Sequence, residues 1–408
     1  MFSNNCRVLC PRLFRHTAWP PSPANITRLN SFDTIEEEKT PYYDAGCFYP
    51  ARLGQVLNGR YQLATKVGFG SSSTVWLARD LHRLLLWRWF AERYVAIKIN
   101  TTDCSTSENE RSIFEHISRQ TKSHDGHNFI RKLLGSFTVR GVSGTHVCLV
   151  LEPLREPLWL YCRRFVGGVI PADILKILLQ MILQGLDYLH SECQIIHTGM
   201  NPHEYVILEK DALDEYCNPL PQKIDENRTI YLSRNNYGPL LRPTGIVQIG
   251  DYGLSVSGKM EHTGCIQAEA YRAPEVILDA GYGYSADIWS LGNRLFDPIS
   301  SQNGDDYDDL SHLAQITALL GPPPNTLLAA GRRSSMFYES NGGFRHLSSH
   351  YYVPHEFQFD SRIHRISGEE KQKFLEFATK MIQWRPEERH TAKELLRDPW
   401  LYTDYPQI

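Results

Sequence analysis

No apolar run in this 408-residue chain approaches the ~20 consecutive residues that a membrane-spanning helix needs. No CxxC pair occurs either, the nine cysteines being scattered between Cys6 and Cys265. That scatter argues against a zinc site or a disulfide frame, and reduced intracellular thiols are expected. No excess of one charge is present, the formal net charge being -3, so there is no bulk case for nucleic acid or a membrane surface as partner. One absence is local. No acidic residue precedes Asp33, although Arg7, Arg12, Arg15 and Arg28 lie there. Such a segment reads either as a mitochondrial presequence or as a disordered basic tail, and Pro20, Pro21 and Pro23 favour the tail. What remains is 42% hydrophobic, an ordinary globular composition long enough for two packed lobes.

Along the chain, Tyr61 to Asp80 alternates and carries Gly68 and Gly70, which predicts a hairpin. Short apolar strands are expected at 94–99 and 147–151, with a helix between them over 107–118, where Ile113, Phe114 and Ile117 fall at helical spacing. The clearest helix is 171–190: Ile174, Ile177, Leu178, Met181, Ile182, Leu186 and Leu189 form one stripe, and Pro171 and Asp173 suit its first turn. A final helix is expected over 392–401. A small strand-rich half thus precedes a larger helical half, and no internal repeat is visible.

Several short motifs carry chemistry. Gly68-Phe69-Gly70-Ser71-Ser72-Ser73-Thr74-Val75 fits GxGxxSxV. Glycines at that spacing let backbone amides approach phosphate oxygens; a plain hairpin turn is the competing reading. Val95-Ala96-Ile97-Lys98 follows at the spacing of a third strand, where a lysine can neutralise α- and β-phosphates. Glu110 begins a helical stretch from which it can pair with Lys98. Ile249-Gly250-Asp251-Tyr252-Gly253 supplies a carboxylate for magnesium, and Ala273-Pro274-Glu275 lies about twenty residues on. Tyr284 to Gly292 and Trp384 to Arg389 complete the series. Each piece is modest alone, but their joint order and spacing leave little room for coincidence.

On these residues, about 48–401 resembles a eukaryotic protein kinase, and specifically the SR-protein kinase branch. The marks of that branch are Gly70 to Leu77 (Gly-Ser-Ser-Ser-Thr-Val-Trp-Leu), His197-Thr198 and Tyr271-Arg272-Ala273-Pro274-Glu275. The stretches Phe48 to Gly54, Glu152 to Trp159 and Ile230 to Asn236 resemble its fungal members. The resemblance implies an α+β fold of two lobes: a basic, disordered extension over 1–47, a strand-rich lobe over 48–152 and a helical lobe over 153–408. It implies ATP and Mg2+ as cofactors. Lys98, Glu110 and Asp251 would be the catalytic set. Val67, Gly68, Gly70, Ser73, Val75, Ala96, Lys98, Glu152 and Leu154 would contact the nucleotide, with Leu151 as gatekeeper. Asp251 and Glu204 would be the metal ligands. Asp287 would brace the catalytic loop, and Glu275 and Arg389 would form a buried ion pair. Thr198 replaces the arginine that reads activation-loop phosphorylation, so that switch would not be needed. The implied partner is an Arg-Ser-rich protein phosphorylated on serine or threonine, in the cytoplasm or nucleus, with the N-terminus leaving mitochondrial import open.

Four departures from the family pattern stand out. Gly199 occupies the position of the aspartate that accepts the substrate hydroxyl proton, Asn201 that of the lysine beside the γ-phosphate, and Glu204 that of the asparagine on a second magnesium. The helix after Gly292 also ends early, at Asn293-Arg294-Leu295-Phe296-Asp297-Pro298. Together they predict nucleotide binding with weak or lost phosphotransfer, and a nucleotide-loaded scaffold is the alternative. That short helix and the apolar insert Leu84 to Phe90 read either as real features or as gene-model errors.

Overall fold

A computed structural model describes residues 16–82, 92–102, 105–154, 156–199, 203–205, 209–225, 228–234, 245–294, 307–339, 341–345, 363 and 366–404. The insert at Leu84 to Phe90 and the residues after Arg294 therefore lie outside the described residues. The chain divides into two compact units: 1–111 with 132–156 and 204–241, and 112–131 with 157–203 and 242–408.

The first unit is built on a six-stranded antiparallel sheet in the order β1-β2-β3-β4-β6-β5. The strands are β1 Val56–Leu57, β2 Tyr61–Gly70, β3 Ser73–Asp80, β4 Arg93–Asn100, β5 Leu133–Arg140 and β6 Thr145–Leu151. Alternation sends Val95, Ile97 and Ile99 to one face, where they meet Leu63, Trp76, Ala78, Cys148 and Val150 in a closed apolar core. Lys98, one residue out of phase, belongs to the opposite face. Register aligns Gly68 with Val75, Val75 with Lys98, and Lys98 with Leu149 in one row across the sheet. The next row joins Leu77, Ala96 and Leu151.

This unit takes in more of the chain than the expected small lobe. Residues 16–47, expected as a disordered tail, lie as a strap against it. Trp19 exchanges backbone hydrogen bonds of 2.8 and 2.9 Å with the Gln62 amide. Residues 204–241, expected in the helical lobe, also belong here. This excursion holds a helix, Glu209–Cys217, and two paired strands, Gln222–Ile224 and Thr229–Tyr231. Tyr231 stacks edge-on against Trp76 at 5.4 Å. Trp76 precedes Tyr231 by 155 residues, and Gln62 follows Trp19 by 43, which is why local pattern does not reveal these contacts.

Helix α1, Ser105–Ser118, contributes residues through Arg111 to the first unit and from Ser112 to the second. The second unit is organised by α2, Ala172–Ser191, with Pro171 as its N-cap. Leu178, Ile182, Leu183, Leu186 and Leu189 are fully buried, each contributing roughly 1.5–3 kcal/mol by transfer from water. Ile177, expected in that stripe, is 44% exposed. The helix Ser285–Arg294 follows the activation-segment region. The expected C-terminal helix is split into Ala392–Leu395 and a 3-10 turn Pro399–Tyr402, because Pro399 cannot continue the hydrogen-bond ladder and Asp398 caps the new turn instead. No helix among the described residues is long and apolar enough to cross a membrane.

Candidate active site

The first unit positions the phosphate-side groups. β2 and β3 close around a two-residue tip, with Gly70 opposite Ser73. A Cβ built on Gly68 meets no atom within 4 Å, and one on Gly70 meets only Ser73 Oγ at 3.7 Å. The space in front of this backbone is therefore open, as an approaching phosphate requires. On β4, the Lys98 ammonium donates to the Glu110 carboxylate of α1 at 2.9 Å. Glu110 is 2% exposed, so the pair is a held one and not a solvated surface contact. Ala96, Leu151 and Leu154 are buried, and Val67, Val75 and Glu152 are half-buried.

The second unit positions the loop and the carboxylate. Asp287, 1% exposed, accepts from the backbone N–H groups of His197 at 2.7 Å and Thr198 at 2.8 Å. His190 Nε2 lies 3.0 Å from the same carboxylate. Thr198 sits at φ +67°, a conformation that costs a β-branched residue on the order of 1–3 kcal/mol and persists only where neighbours enforce it. Its hydroxyl donates to Leu254 O at 2.9 Å, and Ser255 Oγ donates to His197 O at 3.1 Å. These side-chain bonds add to the backbone pairing of Ile195–Ile196 with Val256–Ser257 in tying the loop to the segment after Asp251.

Gly199 follows directly. Its backbone is not left-handed, its N–H lies 3.4 Å from His197 Nδ1, and a Cβ added there meets nothing within 4 Å among the described residues. Asn201 lies outside the described residues. Glu204 falls in a short strand, His203–Tyr205, with its side chain likewise outside them.

Asp251 is exposed and takes φ +67°. The next residue, Tyr252, is fully buried and donates to Ile249 O at 2.8 Å. Its ring meets Phe114 at 4.9 Å and His197 at 5.3 Å, both edge-on. This aromatic stack fixes the residue beside Asp251 and was not read from the sequence. The available signal was Phe114 one helical turn after Glu110. Farther off, Arg389 grips Glu275 through two bonds of 2.6 Å, both side chains having 0% exposure. The guanidinium also lies 4.8 Å from the Trp289 ring centre.

The protein kinase domain family matches residues 61–401. The chain belongs to that family. It is 37% identical, over 96% of its length and 97% of the relative's, to a serine/threonine protein kinase of Aspergillus fumigatus. It is 29% identical to the serine/threonine-protein kinase SRPK of Physarum polycephalum, covering 91% of this chain and 92% of that one. With SRSF protein kinase 3 of mouse the identity is 24% over 93% of each. The crystal structure of the PF14_0431 kinase domain superposes with a TM-score of 0.65 at 21% identity, covering 88% of this chain and all of the other, which supports the fold. This is therefore a serine/threonine protein kinase domain of the SR-protein kinase-like type, with the α+β architecture expected.

Kinases of this family use ATP and Mg2+, and the residues present fit both. The open glycine backbone and the paired Lys98 suit polyphosphate. Asp251 offers the hard carboxylate oxygen that Mg2+ prefers. Among the described residues no group of three His, Cys, Asp or Glu side chains could enclose a metal.

Proposed function

We propose that this kinase domain binds Mg-ATP through Lys98, Glu110 and Asp251, and that it transfers phosphate to protein serine or threonine weakly or not at all. The observation that carries the second clause is Gly199. The backbone that leads into it, His197 and Thr198, is anchored on Asp287, and glycine offers no carboxylate at the position that follows. A positioned general base contributes typically ~10²–10⁴-fold. Phosphoryl transfer depends more on positioning and charge stabilisation than on proton transfer, so the loss lowers turnover without removing nucleotide affinity. The relatives named for SR proteins support an Arg-Ser-rich protein as the protein partner.

The same observation favours a second reading, a nucleotide-loaded scaffold that binds its partner without transfer. The two separate on γ-phosphate transfer from Mg-ATP to an Arg-Ser-repeat peptide, measured for the natural protein and for Asp251→Ala. Slow transfer abolished by Asp251→Ala supports the enzyme. No transfer, with Mg-ATP still raising Tm, supports the scaffold. No Tm shift at millimolar Mg-ATP refutes nucleotide binding itself.

A further inference from the structure

β2 carries Gly68 and Gly70 at its end, yet it lies at the margin of the sheet. Among the described residues only the two-residue strand β1 pairs outside it, and only with Tyr61 and Gln62. Beyond Leu63 its outer edge would be open, and an edge strand's backbone groups need cover. The cover comes from the excursion: Arg234 N–H donates to Lys66 O at 2.9 Å. Both faces of β2 are also occupied. Leu63 packs in the cluster that contains Tyr231, and its neighbour Ala64 packs in the cluster that contains Ala212 and Trp19.

The charges show what holds this cover in place. Lys66 is 1% exposed, and an unpaired buried ammonium would cost several kcal/mol. Its Nζ is met by Glu37, by Glu36 Oε2 at 3.3 Å and by Tyr231 O at 3.1 Å. Glu36 also accepts from Ser233 Oγ. Glu38 takes Lys223 at 2.8 and 2.9 Å. Three successive strap carboxylates thus engage β2 and the open end of the excursion's strand pair, through Lys223 on its first strand and Ser233 just past its second. Glu36 itself stands at φ +52°, a strained turn that such contacts must enforce.

We propose that residues 16–40 are a latch, closing the 209–234 excursion over the edge of β2 and thereby fixing the strand that leads into the glycine hairpin. The strap is a working part of the unit, and its three glutamates set how tightly β2 is held.

Hydrogen exchange on the full chain tests this without nucleotide, so its outcome is separate from the ATP reading. In Glu37→Gln, amides of Thr229–Tyr231 and of β2 from 64 to 70 should exchange roughly tenfold faster or more, while those of α2 stay unchanged. If Glu37→Gln fails to fold, Glu38→Gln serves: its carboxylate is partly exposed and pairs with Lys223, so a smaller rise is expected in the same segments. Faster exchange confined to residues 16–40, with β2 unchanged, would overturn the proposal by showing a passive strap. An equal rise in α2 would also overturn it, since the variant would then have lowered general stability only.

Discussion

Restoring a carboxylate at Gly199 is the sharpest test of why this kinase domain should be slow. Gly199→Asp adds a side chain where a Cβ meets no atom within 4 Å among the described residues and where φ is not left-handed. No left-handed backbone strain opposes it. Replacing glycine also lowers the entropy of the unfolded chain, a gain of ~0.4–1 kcal/mol where the conformation is compatible. The fold should therefore keep its Tm, or rise by a few degrees. The kinetic effect is larger. A base worth ~10²–10⁴-fold corresponds to roughly 2.7–5.4 kcal/mol off the barrier at 1.36 kcal/mol per decade. Against a typical kinase turnover of ~1–100 s⁻¹, the natural protein is expected at roughly 10⁻⁴ to 1 s⁻¹. Transfer of radiolabelled γ-phosphate to an Arg-Ser-repeat peptide at saturating Mg-ATP measures it, with Asp251→Ala in both backgrounds as control. Gly199→Asp should raise turnover at least tenfold, and the gain should vanish with Asp251→Ala. The reasoning is refuted if Gly199→Asp folds, still shows a Mg-ATP Tm shift, and turns over no faster. The missing cation at Asn201 would then be limiting.

Three further outcomes are expected. Lys98→Met should abolish the Tm increase produced by Mg-ATP or weaken it strongly, because the ammonium held at 2.9 Å by Glu110 is the proposed phosphate contact; an unchanged shift would assign the contact elsewhere. Glu275→Gln leaves the Arg389 guanidinium buried without its counter-ion and should cost about 3–5 kcal/mol in urea unfolding, whereas a cost under 1 kcal/mol would contradict the buried pair. His312 is held neutral by burial, its pKa lowered to about 4 from 6.5. The unfolded state therefore binds the extra proton as pH falls from about 6.5 to 4, and stability should drop over that window by up to about 1.4 kcal/mol per unit. His312→Gln should flatten that slope, and an unchanged slope would show that other groups cause it.

Much of this architecture is legible in the sequence because it is local. The hairpin at 61–80, the strands around Lys98 and Leu149, and α2 each follow from period and punctuation. The pairing of Lys98 with Glu110 needs only a strand, a short connection and one helical face. Asp287 under the loop was legible through family resemblance alone, since nothing near Asp287 announces that its carboxylate will cap two amides 89 and 90 residues away. The strap and the excursion were misplaced for the same reason. Glu37 meets Lys66 across 29 residues, and Lys66 meets Tyr231 across 165. Their three-residue strands carry no usable alternation. A run of three glutamates reads as a solvated turn until two distant lysines, Lys66 and Lys223, come to it.

The order of synthesis gives the latch a further consequence. Asp33 leaves the ribosome 190 residues before Lys223, the side chain that bonds to its carbonyl. At ~5–20 residues per second, the strap and the sheet must wait roughly 10–40 s for the excursion that joins them. During that interval β2 has an uncovered edge, the kind of surface that recruits other strands. Lys66 sits in the middle of that edge strand, and a lysine there is a known deterrent to wrong pairing. The residue buried as the latch's counter-charge in the finished protein thus serves, while the chain is still growing, as the guard on the edge it will later help to close.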